Sequence, residues 1–165
     1  SKIINKLKWS PNYNLNTLID DMVDFEINNS KLALGDLDNA VKYNNKNFLA
    51  YQMRGKIKQR YKLHADAIQD FDYAISQKPN NVTALYYRSL SYHQLGRLHN
   101  ALDDLNQVLN YDPSLIPALF IRADVLRSLN QIEDAINDYE KILSEERNNA
   151  RAKKELIKVK RAKRL

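Results

Sequence analysis

The chain has 165 residues, of which 44% are hydrophobic and 28% are charged, a balance that allows one domain with a continuous core. It has no cysteine, which excludes disulfides and thiolate metal sites, and only three glycines and four prolines, which leaves long stretches free to be helical. The net charge of +6 comes from residues 150–165, so the near-neutral body weakens the argument that the whole domain meets nucleic acid.

Residues 1–15 form an N-terminal segment with a short amphipathic turn, SKIINKLKW, that Ser10 and Pro11 end. We predict that Trp9 packs against the helices that follow, and an exposed binding anchor is the alternative. The segment lacks the apolar stretch of a secretory signal, and no apolar run approaches the ~20 residues that span a bilayer. These features predict a cytoplasmic protein.

Residues 16–149 contain internal repeats, of which the first, over about 21–47, is degenerate. Its segment LALGDLDNAV, at 32–41, matches a later HQLGRLHNAL, and the match assigns Ala40 to the alanine position that the later repeats share. Ala40 lies 27 residues before Ala67, whereas the later spacing is 34. We therefore predict a deletion of about two helical turns, which shortens the second helix and ends it at the NNKN turn.

Three full repeats follow without a gap, over 48–81, 82–115 and 116–149. A small residue at one shared position lets two antiparallel helices approach closely, while a large residue beyond it fills the space beneath them. The period therefore predicts one helical hairpin per repeat. These positions hold Ala67, Ala101 and Ala135, and Phe71, Leu105 and Tyr139.

The period and the pattern resemble those of the tetratricopeptide-repeat family. In that pattern an aromatic residue or leucine occupies the tryptophan position, and a small residue occupies the glycine position. The resemblance implies an all-α fold, a right-handed solenoid of antiparallel helix pairs that acts as a non-catalytic scaffold for a protein or peptide partner. The residues concerned are Tyr51, Leu85 and Leu119, and Gly55, Ser89 and Ala123.

Arginines and aspartates recur in step through the three repeats, always sixteen residues apart. The two positions lie on facing helices of a hairpin, so we predict structural ion pairs within a repeat or between neighbours. A row of arginines for an acidic ligand is the alternative, because guanidinium groups bind carboxylates well. The residues are Arg54, Arg88 and Arg122, with Asp70, Asp104 and Asp138.

The resemblance also implies that the first helix of each repeat lines a concave groove, in which the partner binds. We predict a groove with an aromatic middle, since aromatic rings bury much area at little entropic cost. For Tyr86 and Phe120, packing between neighbouring hairpins is the alternative. The candidate groove residues are Met53, Lys56, Arg60, Tyr86, Tyr87, Leu90, His93, Phe120, Ile121, Asp124 and Arg127.

Some members of the family hold the C-terminal carboxylate of chaperones in a clamp of lysine, asparagine and arginine side chains. Counted from residue 21, only Asn29 is of the required type. Counted from residue 48, none is, and we therefore do not expect a chaperone tail as the ligand. The positions in that second count hold Gln52, Lys56, Tyr87, Pro117 and Ile121.

Sequence motifs for catalysis are absent: there is no phosphate-binding glycine loop, nucleophile elbow or dinucleotide fingerprint. His64, His93 and His99 have no paired ligand spacing, and no cysteine could complete a zinc site. We expect neither a metal site nor a cofactor, and no enzymatic activity.

Residues 150–165 are basic and predict an amphipathic helix, with Ala152, Leu156 and Val159 at helical spacing. Because the last hairpin of a solenoid would otherwise expose apolar surface, we interpret this segment as a capping helix. Two functional alternatives remain open. The tail could bind nucleic acid or an anionic membrane surface, or the domain could self-associate, and the sequence does not indicate an oligomeric state.

Overall fold

The computed structural model describes residues 29, 31–44 and 46–163, and all regular secondary structure within them is helical. The predicted all-α solenoid is confirmed. The predicted N-terminal segment with Trp9, and most of the first half of the degenerate repeat, lie outside the described residues. The helices are α1 over 31–43, α2 Phe48–Arg60, α3 His64–Gln77, α4 Val82–Gln94, α5 Leu98–Tyr111, α6 Ile116–Ser128, α7 Ile132–Glu145 and α8 Ala150–Ala162.

Asparagine side chains cap the start of three helices at intervals of the sequence repeat. Asn47 accepts a hydrogen bond from the backbone N–H of Ala50 at the start of α2, and Asn81 does the same at the start of α4. Helix α6 has no such cap and instead carries a proline in its first turn. Asn149 caps α8 in the same way, so α8 begins like the first helix of a further hairpin.

The turn inside each hairpin has one conformation, which a residue of positive φ creates. The residues are Lys62 (φ 60°), Gly96 (φ 70°) and Asn130 (φ 61°), again one repeat apart. At the first turn the backbone N–H of Leu63 donates to the carbonyl of Lys58, and that of Lys62 to the carbonyl of Gln59, and the same bonds recur at the other two turns. This is the Schellman ending, and it directs each second helix back along the first.

From α2 to α8 each helix packs against the next, and the first helices also contact one another, α2 with α4 and α4 with α6. Small and large buried residues alternate in the core as the period predicts. Ala101 and Ala135 are fully buried, and so are Leu105 and Tyr139. Stacking of equal hairpins is what makes equal repeat positions form rows across the domain.

Helix α1 differs from the expected register of the degenerate repeat. The match that assigned Ala40 to the alanine position implied a turn near Gly35, but residues 31–43 are one continuous helix. No described residue lies within 4 Å of a Cβ placed on Gly35, which is exposed, so a glycine in this helix costs only about 1 kcal/mol. Arg54 donates a hydrogen bond to Asp38 on α1, just as Arg88 donates one to Asp72 on α3. Asp38 and Asp72 are one full repeat apart, so α1 keeps the period of the later repeats. The residue of α1 that precedes Ala67 by one repeat is therefore Ala33 and not Ala40.

Candidate peptide-binding groove

The first helices of the hairpins, α2, α4 and α6, lie side by side and form the face that holds the candidate residues. The side-chain amide of Gln59 on α2 donates to the backbone carbonyl of Tyr87, at 2.8 Å, and to Ser91 Oγ, at 2.9 Å, both on α4. A side chain that bonds the backbone of the next helix fixes the spacing between the two. The floor of the groove is therefore a rigid surface.

At its α2 end the groove is open and apolar. Met53 is 53% exposed, and Leu49, one helical turn earlier on the same helix face, is 51% exposed. Lys56 continues this face, and its ammonium group lies 4.7 Å from the centroid of the Tyr87 ring. No carboxylate pairs with Lys56 within the part of the chain that the structure describes, so its positive charge is available to a ligand.

Aromatic rings occupy the middle of the groove. The Tyr87 ring is half-buried, stacks on Phe71 at a centroid distance of 6.3 Å and meets Tyr86 edge-on at 5.4 Å. Leu90 and Ile121 are also half-buried. These contacts hold Tyr87 in one orientation, so a ligand that packs on its remaining surface does not have to order it first.

Phe120 is not the open anchor that the sequence predicted. It is only 7% exposed, and the guanidinium group of Arg151 on α8 covers its ring at 4.2 Å from the centroid. The ring also packs on Tyr139 behind it, at 6.2 Å. Phe120 thus packs between helices, as the alternative interpretation of the sequence had it. Helix α6 therefore contributes less apolar surface to the groove than we expected.

An ionic cluster joins α6 to α8 at this end of the groove. Arg127 Nη1 lies 3.2 Å from Glu155 Oε2 and 3.5 Å from Asp124 Oδ1, and Arg151 Nη2 lies 3.8 Å from Asp124 Oδ2. The hydroxyl of Tyr139 donates to Asp124 at 3.1 Å, and burial raises the pKa of Tyr139 to about 12. The hydroxyl therefore stays protonated, and Asp124 is held at a fixed place in the cluster.

A cleft of about 510 Å³ opens beside this cluster, between the ends of α4 and α6 and the outer part of α8. Polar and charged groups from three helices line it above an apolar base. The lining residues are His93, Asp124, Arg127, Ser128, Ile132, Lys158, Val159 and Ala162. The last candidate groove residue, Arg60, does not line this cleft. It is exposed near the end of α2 and also interacts with other residues of the chain.

The periodic arginines bind second helices instead of facing the groove. Arg88 donates from Nη2 to Asp104 Oδ1 at 2.6 Å and from Nε to Oδ2 at 2.8 Å, and Arg54 and Arg122 hold Asp70 and Asp138 with the same two bonds. Each arginine also reaches back sixteen residues, where its Nη1 binds an oxygen on the preceding second helix. These third partners, which the sequence analysis missed, are Asp38, Asp72 and Asn106.

The paired carboxylates raise the pKa of two of these guanidinium groups, those of Arg54 and Arg88. The hydrogen bonds that Arg54 donates to Asp70 raise the pKa of Arg54 above its ordinary value. Burial alone would lower the pKa of Arg88, but its bonds to Asp104 and Asp72 raise it overall. Charge-assisted bidentate bonds of this kind are stronger than neutral hydrogen bonds, so the row ties successive hairpins together and is not available to an acidic ligand.

Two further classes of site have no support in the part of the chain that the structure describes. No group of three or more His, Cys, Asp or Glu side chains is arranged to hold a metal ion there. Within the same residues, no helix has the length and apolar character needed to cross a membrane.

Family models of the tetratricopeptide repeat match residues 63–114 and 116–149, which together span just over half of the chain. Comparison with curated protein sequences gives no match. Among solved structures, a tetratricopeptide-repeat protein from Parabacteroides merdae is 27% identical, with 83% of this chain and 55% of that chain covered and a TM-score of 0.72.

The first tetratricopeptide domain of Spaghetti (RPAP3), solved bound to the HSP90 peptide SRMEEVD, is 25% identical, covers 72% of this chain and 94% of its own, and has a TM-score of 0.67. MamA, at 19% identity, 79% and 76% coverage and a TM-score of 0.76, shares the fold. Tetratricopeptide repeats are generally non-catalytic interaction modules, and this one is a protein-interaction scaffold. The chain belongs to the tetratricopeptide-repeat family.

Proposed function

We propose that the chain holds a peptide or a helical segment of a partner protein in the concave groove, with the main apolar contact on α2 and α4. The observation that carries the proposal is the exposed pair Leu49 and Met53 next to the ordered ring of Tyr87. Exposed apolar side chains that neighbour a preformed aromatic ring and a free cation are typical of a recognition surface.

The similar Spaghetti domain is bound to an HSP90 peptide, which supports the groove as the place to look for a ligand. The ligand here has a different chemistry, because the positions of the carboxylate clamp hold Gln52, Tyr87 and Ile121 among others. Apolar and aromatic side chains at those positions favour internal side chains of a segment over a terminal carboxylate.

Nucleic-acid or membrane binding by the basic tail has less support. Lys160 pairs with Glu140 at 2.6 Å, and Lys163 pairs with Glu133. Arg151 lies over Phe120 and near Asp124. Part of the positive charge of α8, above all that of Lys160 and Lys163, is thus directed at acidic groups of this chain itself, which reduces what remains for an extended anionic surface.

Selection from a library of displayed peptides, followed by fluorescence anisotropy with the selected peptide, tests the proposal. Replacing Met53 and Leu49 together by Ala should weaken binding about tenfold or more, because both side chains would lose apolar contact with the ligand. Leu63→Ala is the matched control, since Leu63 is also exposed but lies in a hairpin turn. Equal affinities for the double variant and the control would exclude the groove as the binding surface.

A further inference from the structure

Helix α8 has the register of a first helix, not only the position of a cap. Its cap Asn149 follows Asn81 by two repeats, and Ala152 is fully buried like Ala84 and Ala118, which precede it at intervals of one repeat. Because equal repeat positions form rows, the residues of α8 in the groove rows are Arg151, Lys154, Glu155, Lys158, Arg161 and Ala162. Within the described residues, four helices therefore line the groove face, and the fourth of them, α8, is basic.

Contacts with α6 support this placement. Arg151 lies over the ring of Phe120, and Glu155 binds Arg127, so both side chains point toward the neighbouring first helix. Lys158 lines the 510 Å³ cleft together with Asp124 and His93. Side-chain contacts thus connect the groove face of α6 to α8.

Charge and apolar surface are separated along this face. The α2 end carries Leu49 and Met53. At the α8 end the side chains of Arg151 and Lys158 are 63% and 65% exposed, although Arg151 lies 3.8 Å from Asp124 and Lys158 lies 3.9 Å from Glu155. Glu155 is the one acid that α8 contributes to the rows, and it is also bound to Arg127. The α8 wall therefore offers an excess of positive charge to a ligand that reaches it.

We infer that the groove binds its partner in one orientation, with an apolar stretch of the partner peptide on α2 and α4 and a cluster of acidic side chains against Arg151, Lys154 and Lys158 of α8. The inference rests on the proposed function and adds the partner's chemistry and direction. It also assigns the basic residues of α8 a role in a place that the carboxylate clamp of the family does not use. A peptide partner is favoured over a nucleic acid because the basic wall is only one helix wide and the other end of the same face, at Leu49 and Met53, is apolar.

The test uses a synthetic probe peptide with a leucine-rich half and a glutamate-rich half, and a nitroxide label at the glutamate end. Bound to the isotope-labelled chain, the nitroxide should broaden the amide signals of α8 and of the end of α6 while it spares α2. With the label moved to the leucine end, the α2 signals should broaden instead. Broadening at α2 by the glutamate end, uniform broadening, or no binding of the probe would each overturn the inference.

Charge reversal on one helix gives a matched pair of variants. Lys158→Glu should weaken binding of the probe about fivefold, whereas Lys153→Glu, on the same helix but outside the groove rows, should leave it unchanged. The difference should shrink at high salt, because exposed charges are screened. Equal losses in the two variants would show binding to charge alone, as a nucleic acid would also bind, and would contradict the inference.

The two proposals fail in different ways. If the Met53 and Leu49 variant loses the probe and Lys158→Glu does not, the groove stands and the assigned direction is wrong. If the probe binds equally to wild type and to the Met53 and Leu49 variant, the proposed function is wrong.

Discussion

Gly55 lets the two helices of the hairpin α2–α3 approach closely. A Cβ on this residue would lie 2.8 Å from Cε1 of Phe71, whose ring is fully buried and has no room to turn aside. One repeat later Ser89 takes the same position, and the large residue opposite it is Leu105. The size of the small residue and the size of its partner are therefore coupled.

We predict that the effect of Gly55→Ala on the free energy of unfolding changes sign with its partner. In the wild-type background overpacking costs about 1 to 3 kcal/mol, against about 1 kcal/mol gained from better helix propensity. With Phe71→Leu present, only the gain remains, as in a double-mutant cycle. Gly35→Ala is the control and should stabilise the protein, since no described residue lies within 4 Å of the added Cβ. Urea denaturation gives the free energy of unfolding of Gly55→Ala, Phe71→Leu, the double variant and Gly35→Ala. If the effects of Gly55→Ala and Phe71→Leu simply add in the double variant, the coupling is contradicted.

The sequence predicted rows of residues on the first helices, but it did not predict how exposed each of them is. The period groups equal repeat positions into rows, and the resemblance to the family implied that the rows with Met53 and Tyr87 line a groove. The cover over Phe120 could not be predicted, because it depends on how far the long side chain of Arg151 reaches from a neighbouring helix. The position of α8 beside the groove could not be predicted either. A basic amphipathic helix at the end of a solenoid has the same sequence pattern whether it only caps the core or also extends a groove.

At the level of helices, the arginine rows connect three elements at a time. Arg88 on α4 binds Asp104 on α5 and, through Nη1, Asp72 on α3 at 2.6 Å. The side chain of Asp104 is 3% exposed and that of Asp72 is 49% exposed. The same arginine thus has one buried and one solvated partner, which allows the contribution of each to be separated.

We predict a fixed order of destabilisation among substitutions in this triad. Arg88→Ala should cost most, about 3 to 5 kcal/mol, because it leaves the buried carboxylate of Asp104 without its bidentate partner. Asp104→Ala should cost less, since Arg88 keeps Asp72, and Asp72→Ala should cost about 0 to 1 kcal/mol, as exposed pairs do. Chemical denaturation midpoints with unchanged slopes report the order. A loss for Asp72→Ala as large as that for Arg88→Ala would show that burial does not set the energy.

The shared spacing of arginine and aspartate was enough to place the two on facing helices of one hairpin. The third partner was missed because it lies in the previous repeat, and at Asn106 it is not even an acid. The register predicted for α1 was wrong because the sequence does not show the conformation of a glycine. The Leu95–Gly96 pair follows the end of α4, where Gly96 adopts positive φ. The Leu34–Gly35 pair has the same sequence but lies within helix α1.

At the scale of the molecule, most of the buried apolar residues that the structure describes form two neighbouring groups. One surrounds Ala67, Phe71, Ala74 and Ala84, where α2, α3 and α4 meet, and the other extends from Leu85 on α4 to Val159 on α8. Because the helix contacts within the described residues join only the same or adjacent hairpins, the effect of a change at one end is transmitted through a series of interfaces. Local stability should therefore depend on position along the solenoid.

We predict that loss of α8 destabilises the C-terminal hairpin and leaves the first one nearly intact. Val159 is 3% exposed and Ala152 fully buried, so truncation after Asn149 uncovers the α7 surface beneath them, and amide hydrogen exchange should accelerate in α6 and α7 before α2 and α3. Val159→Ala should produce the same gradient at a cost of about 2 kcal/mol and keeps the test valid if the truncated chain does not fold. Ile157→Ala, on the same helix with its side chain 52% exposed, is the control and should change little. If exchange instead accelerates equally in α3 and α7, the solenoid unfolds as one cooperative unit, and the role of α8 is global rather than confined to the end that it covers.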